Sequence, residues 1–172
     1  MTQSLAVTVL GHDRPGIIAE VTGVLAGIGG NLEDSSMTLL RGHFAWTLLV
    51  ASDTAAAEVR AGLQHLVDEG LVVSVLPVPE PGAAAAQGSA YLLSVHGADR
   101  PGIVSGLTAV VADAGGNITD LTTRLAGGLY LLVAEVALPA DADVVALTAQ
   151  ITATAEVLGV RATFRVADTD VL

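Results

Sequence analysis

The stretch LAVTVLGHDRPGIIAEVTGVLAGIGGN, residues 5–31, returns as YLLSVHGADRPGIVSGLTAVVADAGGN, residues 91–117, an offset of 86 positions (91 − 5 = 86). Asp13-Arg14-Pro15-Gly16-Ile17 recurs unchanged as Asp99-Arg100-Pro101-Gly102-Ile103. Between Asp13 and Asn31, 11 of 19 positions are identical, with no insertion or deletion. A repeat of this length exceeds most solenoid units, and a solenoid needs three or more copies to bury its core. The reading is therefore one small globular module used twice, each copy of about 80 residues and large enough for its own core.

Outward from the motif, the local signals alternate. Residues 5–10 and 91–95 are brief, β-branched-rich apolar runs, as buried strands are. Pro15 and Pro101 mark helix starts, since proline suits the first turn. Ile17, Val21, Val24, Leu25 and Ile28 then share one helix face, as do Ile103, Leu107, Val110 and Val111. Gly29-Gly30 and Gly115-Gly116 end these helices, where left-handed backbone is needed. Two hairpins follow: residues 31–40 and 43–51 about Arg41-Gly42, and residues 117–125 and 129–138 about Gly127-Gly128. Asp53 and Asp141 stand where caps of a second helix are expected, and Gly70 and Gly159 close those helices. Final strands run over 71–78 and 160–166, the latter placing Val160, Ala162, Phe164 and Val166 inward.

Each module thus reads βαββαβ. The expected fold class is α+β: two ferredoxin-like modules, each a four-stranded antiparallel sheet with helices on one face. The expected boundaries are 1–78 for module 1, 79–89 for a Pro-, Ala- and Gly-rich linker, and 90–172 for module 2.

Composition narrows the function. The chain carries a net charge of −11, from 18 acidic residues against 7 arginines and no lysine. Phosphate-backbone binders show the opposite balance, so direct nucleic-acid binding is not expected. Cysteine is absent, which removes disulfides and thiolate chemistry. The N-terminal residues carry no targeting pattern, and no apolar run reaches the 18 or so residues of a membrane span. A cytoplasmic protein without membrane partners is expected. His12 and His96 do not occupy equivalent positions, His43 and His65 have no counterparts, and no metal-ligand spacing occurs, so no metal, cofactor or catalytic residue is assigned.

The repeated motif suits a free amino acid. A turn opening a helix offers unpaired N–H groups and a positive dipole end for a carboxylate. Asp13 and Asp99 supply anionic acceptors for an ammonium group, and Asn31 and Asn117 both donate and accept. Chain order suggests that Asp13, Gly16 and Asn31 lie close together. The candidate ligand-binding residues are Gly11, Asp13, Arg14, Gly16 and Asn31, with Gly97, Asp99, Arg100, Gly102 and Asn117 in the second copy. Structural roles stand beside these: Asp13 and Asp99 also suit helix capping, Arg14 and Arg100 ion pairing, and the asparagines left-handed backbone.

Strand, Asp-Arg-Pro-Gly-Ile, apolar helix, Gly-Gly-Asn, strand resembles the ACT domain, twice over essentially the whole chain. The form of the motif is similar to that in glycine cleavage system transcriptional repressors and formyltetrahydrofolate deformylases. The resemblance implies a regulatory, non-enzymatic protein that binds a small amino acid such as glycine or serine and signals to a protein partner, with transcriptional control of amino-acid metabolism as one such output. It also implies binding where the first loop of one module meets the second strand of a neighbour. Open sheet edges suggest a homodimer. Leu10, His12, Glu33, Met37, Arg41 and Trp46 become His96, Ala98, Thr119, Thr123, Gly127 and Leu132, so two unequal pockets are expected. The alternatives are a ligand-free ACT-fold interaction protein and, further off, an enzyme or an RNA-binding module. The last lacks support, with only five aromatic residues (2 Phe, 1 Trp, 2 Tyr) and no basic aromatic strand.

Overall fold

The computed structural model describes residues 2–79 and 89–167. The chain forms two compact units, residues 1–83 and 84–172. Unit 1 comprises β1 (Gln3–His12), α1 (Ile17–Gly27), β2 (Asn31–Leu40), β3 (His43–Ser52), α2 (Ala56–Gly62), α3 (Gln64–Asp68) and β4 (Val72–Val78). Unit 2 comprises β5 (Ser89–Ala98), α4 (Ile103–Asp113), β6 (Asn117–Ala126), β7 (Leu129–Leu138), α5 (Val144–Leu158) and β8 (Val160–Val166). Residues 80–88 of the expected linker lie outside the described residues, and Ser89 already belongs to β5.

Each unit has one antiparallel sheet, ordered β2-β3-β1-β4 in the first and β6-β7-β5-β8 in the second. This is the ferredoxin-like arrangement expected for each module. Alternation along the strands explains the layering: Leu5, Val7 and Val9 of β1 are buried with Ile17, Val21 and Leu25 of α1, while Thr8 and Leu10 face outward. Leu93 and Val95 meet Ile103, Leu107 and Val111 in the same way. Between β2 and β3, Arg41 (φ 50°) and Gly42 (φ 84°) form a two-residue turn. Gly127 (φ 57°) and Gly128 (φ 83°) do so between β6 and β7, the left-handed pairs that tight hairpins favour.

The Gly-Gly-Asn segment acts through both glycines. Gly29 and Gly115 are left-handed, at φ 71° and 72°. Gly29 N–H bonds Ala26 O and Gly30 N–H bonds Leu25 O, and Gly115 and Gly116 bond Ala112 and Val111 likewise, a Schellman closure of each helix. The second glycine is required by space: a Cβ at Gly116 would stand 2.8 Å from Val111 Cγ1 and 2.9 Å from Leu138 Cδ2.

Several local expectations are corrected. The helices begin at Ile17 and Ile103, two residues after the prolines, because Gly16 (φ 99°) and Gly102 (φ 94°) occupy the N-cap in left-handed conformation. Neither helix has a side-chain cap, so Asp13 and Asp99 do not cap them. Asp53 accepts from Thr2 Oγ1 (3.0 Å), and Ala55 takes the N-cap of α2. In unit 2 the preceding turn, closed by Ala142 N–H to Pro139 O, moves the cap from Asp141 to Asp143, which accepts from Ala146 N–H at 2.9 Å. The second helix of unit 1 is broken at Leu63, next to Gly62, where a Cβ would press on Val24 at 2.9 Å. Val166, expected inward, is 60% exposed at the end of its strand.

Two glycine substitutions separate packing from helix propensity. Gly116→Ala should lower unfolding free energy by about 1–3 kcal/mol through overpacking. Gly23→Ala, in open space inside α1, should raise it by up to about 1 kcal/mol. Urea midpoints of the two variants check both signs.

Candidate functional site

Alternation leaves the loop after β1 at one end of the sheet, against the β2–β3 turn. His12 pairs with His43, and Asp13 N–H donates to Gly42 O at 3.1 Å. The left-handed Gly16 then redirects the chain into α1. A recess of about 470 Å³ opens there. Asp13, Gly16 and the first-turn residues Ile17 and Ile18 form one side, and Met37, Leu39 and Phe44 of the hairpin form the other. Phe44 is buried and meets Trp46 edge to face, with ring centroids 6.2 Å apart.

The recess is polar at the loop and apolar at the hairpin. The first amides of a helix have no intrahelical partners, so its mouth suits an anionic oxygen. Asp13 supplies a carboxylate at the same rim. Arg14 does not present an unpaired cation. Its Nη1 lies 2.7 Å from Glu20 Oε1, its Nη2 2.8 Å from Glu20 Oε2, and Nη2 also bonds Glu69. His65 Nε2 stands 3.9 Å from Glu20 Oε2. The Arg14 hydrogen bond holds the Glu20 carboxyl below the usual carboxylate range, and the two glutamates raise the guanidinium further above its own. This network fastens the loop to α1 and to the end of α3.

Other predicted residues fall elsewhere. Asn31 does not join Asp13 within its unit. Strand β3 lies between β1 and β2, and α1 carries the chain back along β1, so Asn31 pairs with Ala51 at the sheet end where Gln3 pairs with Ser52. Along the nine steps from Gln3 to His12, at about 3.3 Å each, the separation is about 30 Å. Asn117, paired with Ala137, is placed likewise. Gly11 is a packing residue, since a Cβ there would enter the Leu71 side chain. Gly97 meets Val160 similarly, with Cα and Cβ at 3.0 Å. Met37, a position that differs between the copies, lines the recess, and Ile18, Leu39 and Phe44 join it beyond the predicted residues; the signal for them was the hairpin register, which sets Leu39 against Phe44 one step from the His12–His43 pair.

Unit 2 repeats the loop but not its surroundings. Val104, Ser105, Thr123 and Tyr130 stand where unit 1 has Ile18, Ala19, Met37 and Phe44. Gly106 replaces Glu20, and Leu158 replaces Glu69 at the later offset of 89 (158 − 69 = 89). Arg100 instead lies against Gly159, where a Cβ would be 2.6 Å from Nη1. Among the described residues there is no group of three or more His, Cys, Asp or Glu placed to hold a metal, and no helix is long and apolar enough to cross a membrane.

The ion-pair network predicts an acid limb in stability. Because Glu20 titrates lower when folded, its contribution is complete above the unfolded value of about 4.3 and is lost as pH falls through the lowered folded value. Arg14→Gln should flatten that limb in urea unfolding measured between pH 3 and 6, on the order of the carboxylate titration range. Arg100→Gln, with no such acids beside it, should leave the limb unchanged.

The ACT domain family model matches residues 3–73 and again residues 89–165. A UPF0237 protein of Methanopyrus kandleri is 43% identical over 72 residues, covering 40% of this chain and 79% of that protein. The glycine cleavage system transcriptional repressor of Escherichia coli is 28% identical over 127 residues, covering 70% of this chain and 64% of the repressor. A crystal structure of an unknown protein from Galdieria sulphuraria superposes with a TM-score of 0.81 at 29% identity, covering 98% of this chain and all of that one. With one match to each unit, the chain belongs to the ACT domain family.

Proposed function

We propose that this regulatory ACT protein binds a small free amino acid in the recess beside Asp13 and signals its occupancy to a protein partner. The observation that carries the reading is the pairing, in one recess of about 470 Å³, of the opening turn of α1 with the Asp13 carboxylate. The turn amides would receive the ligand carboxylate, and Asp13 its ammonium group. Glycine and serine are the leading ligands, by similarity to the glycine cleavage repressor. Met37, Leu39 and Phe44 leave room for a larger apolar side chain, so the test panel includes leucine and methionine. Binding would act by population shift: a ligand that favours one arrangement of the β1–α1 loop changes the surface offered to a partner. Control of transcription would then run through that partner, because a net charge of −11 disfavours contact with DNA by this chain alone. A cytoplasmic location and a homodimer are part of the same reading.

The rival, an ACT fold without ligand, draws on one observation: Arg14 is already neutralised by Glu20 and Glu69, as a purely structural residue would be. Thermal unfolding across the amino-acid panel, followed by Trp46 fluorescence, separates the two. A ligand at a hundredfold excess over its Kd should add about 2.7 kcal/mol. Asp13→Ala should remove that gain, whereas Asp99→Ala should keep it. No shift with any amino acid would favour the structural reading.

A further inference from the structure

The outer face of each sheet, away from the helices, can be compared position by position. In unit 1 one row across the strands reads Thr38, Ala45, Leu10 and Val72. The same row in unit 2 reads Arg124, Leu131, His96 and Arg161. Three neutral positions have become basic, in a chain with only 7 arginines and 4 histidines against 18 acids.

His96 and Arg161 are direct cross-strand partners, which brings their Cβ atoms to about 5 Å. Together with Gly97, Gly159 and Val160 they line a recess of about 270 Å³. Arg100, from the β5–α4 loop, borders the recess without lining it: its guanidinium lies over Gly159, one of the lining residues, with Nη1 2.6 Å from a Cβ built there. Proximity to the carbonyl end of α5 helps hold Arg100, since a cation is favoured there. That contact accounts for Arg100 alone and not for His96 or Arg161.

Neither Arg100 nor Arg161 has a carboxylate within ion-pair distance among the described residues, in contrast to Arg14. The counterpart positions in unit 1 cannot form such a site: Leu10 and Val72 are apolar, and Arg14 is occupied by Glu20 and Glu69. With no carboxylate to neutralise them, these cations leave a positive rim that an anion would offset. Planar guanidinium groups make paired hydrogen bonds to tetrahedral oxyanions, and the imidazole adds an N–H donor. The recess is smaller than pockets for drug-sized ligands, which matches a compact group.

We propose that unit 2 carries a binding site for a phosphate group, formed by His96, Arg100 and Arg161 around Gly159. It is separate from the amino-acid recess of unit 1 and does not depend on it. It gives the chain a second input of different chemistry: a phosphorylated small metabolite or free phosphate.

Isothermal calorimetry on the full chain at constant ionic strength tests the site, with inorganic phosphate in one arm and glycerol phosphate in the other. Saturable binding in either arm is expected, weakened about tenfold or more in Arg161→Gln and in His96→Gln, as loss of a charge-assisted contact implies. Arg41→Gln, which removes equal charge from the unit 1 turn, should bind as the parent does. Tighter binding of glycerol phosphate would assign the site to a phosphomonoester, and equal binding to the phosphate group itself. No saturable heat in either arm, or binding retained in His96→Gln, Arg100→Gln and Arg161→Gln alike, would overturn the proposal.

Discussion

The constraint on which both units depend is the reversal between the first strand and the first helix. The chain must leave the sheet end after His12 or Ala98 and return over the buried face within a few residues. Left-handed backbone at Gly16 and Gly102 makes that possible, at φ 99° and 94°, where a side chain would be strained. The reversal places the opening turn of the helix at the sheet end with its amides unpaired, and it aims Ile17 and Ile103 into their cores. At the other end of the helix, the Schellman closure at Gly29-Gly30 and Gly115-Gly116 returns the chain to the sheet as an edge strand. One pentapeptide and one tripeptide thus fix the direction of most of the module.

With the backbone held by these glycines, the surrounding side chains were free to diverge. Unit 1 neutralises its motif arginine with Glu20 and Glu69 and lines the adjoining recess with Met37, Leu39 and Phe44. Unit 2 has Gly106 and Leu158 at the acid positions, leaving Arg100 to lie over Gly159, which itself lines a recess with His96 and Arg161. The same loop therefore sits in an acid-paired setting in one copy and a basic one in the other. Duplication preserved the fold while the electrostatics separated.

Features governed by local chemistry were legible in the sequence. The hairpin turns at Arg41-Gly42 and Gly127-Gly128 and the helix ends at Gly29 and Gly115 follow from residues that tolerate positive φ, and the helix faces follow from apolar spacing. Features set by tertiary placement were not. Asn31 looked close to Asp13 because it follows it in the chain, yet the intervening helix runs antiparallel to β1 and delivers it to the far end of the sheet. Proline suggested a helix start, but the left-handed glycine after it took the cap position. Gly11 and Gly97 resembled binding glycines and instead admit Leu71 and Val160. The apolar wall of the recess comes from a hairpin more than twenty residues downstream of Asp13, as the numbers 37, 39 and 44 show, so no local motif announced it.

The central claim is that an amino acid binds beside the first copy of the motif and not the second. Two-dimensional amide NMR of the full chain, titrated with the amino acid that stabilises it most, tests this directly. The expected result is saturable shifts confined to residues 13–19 and 37–44, the elements lining the unit 1 recess. Equal shifts at residues 99–105, or shifts at neither loop, would contradict it.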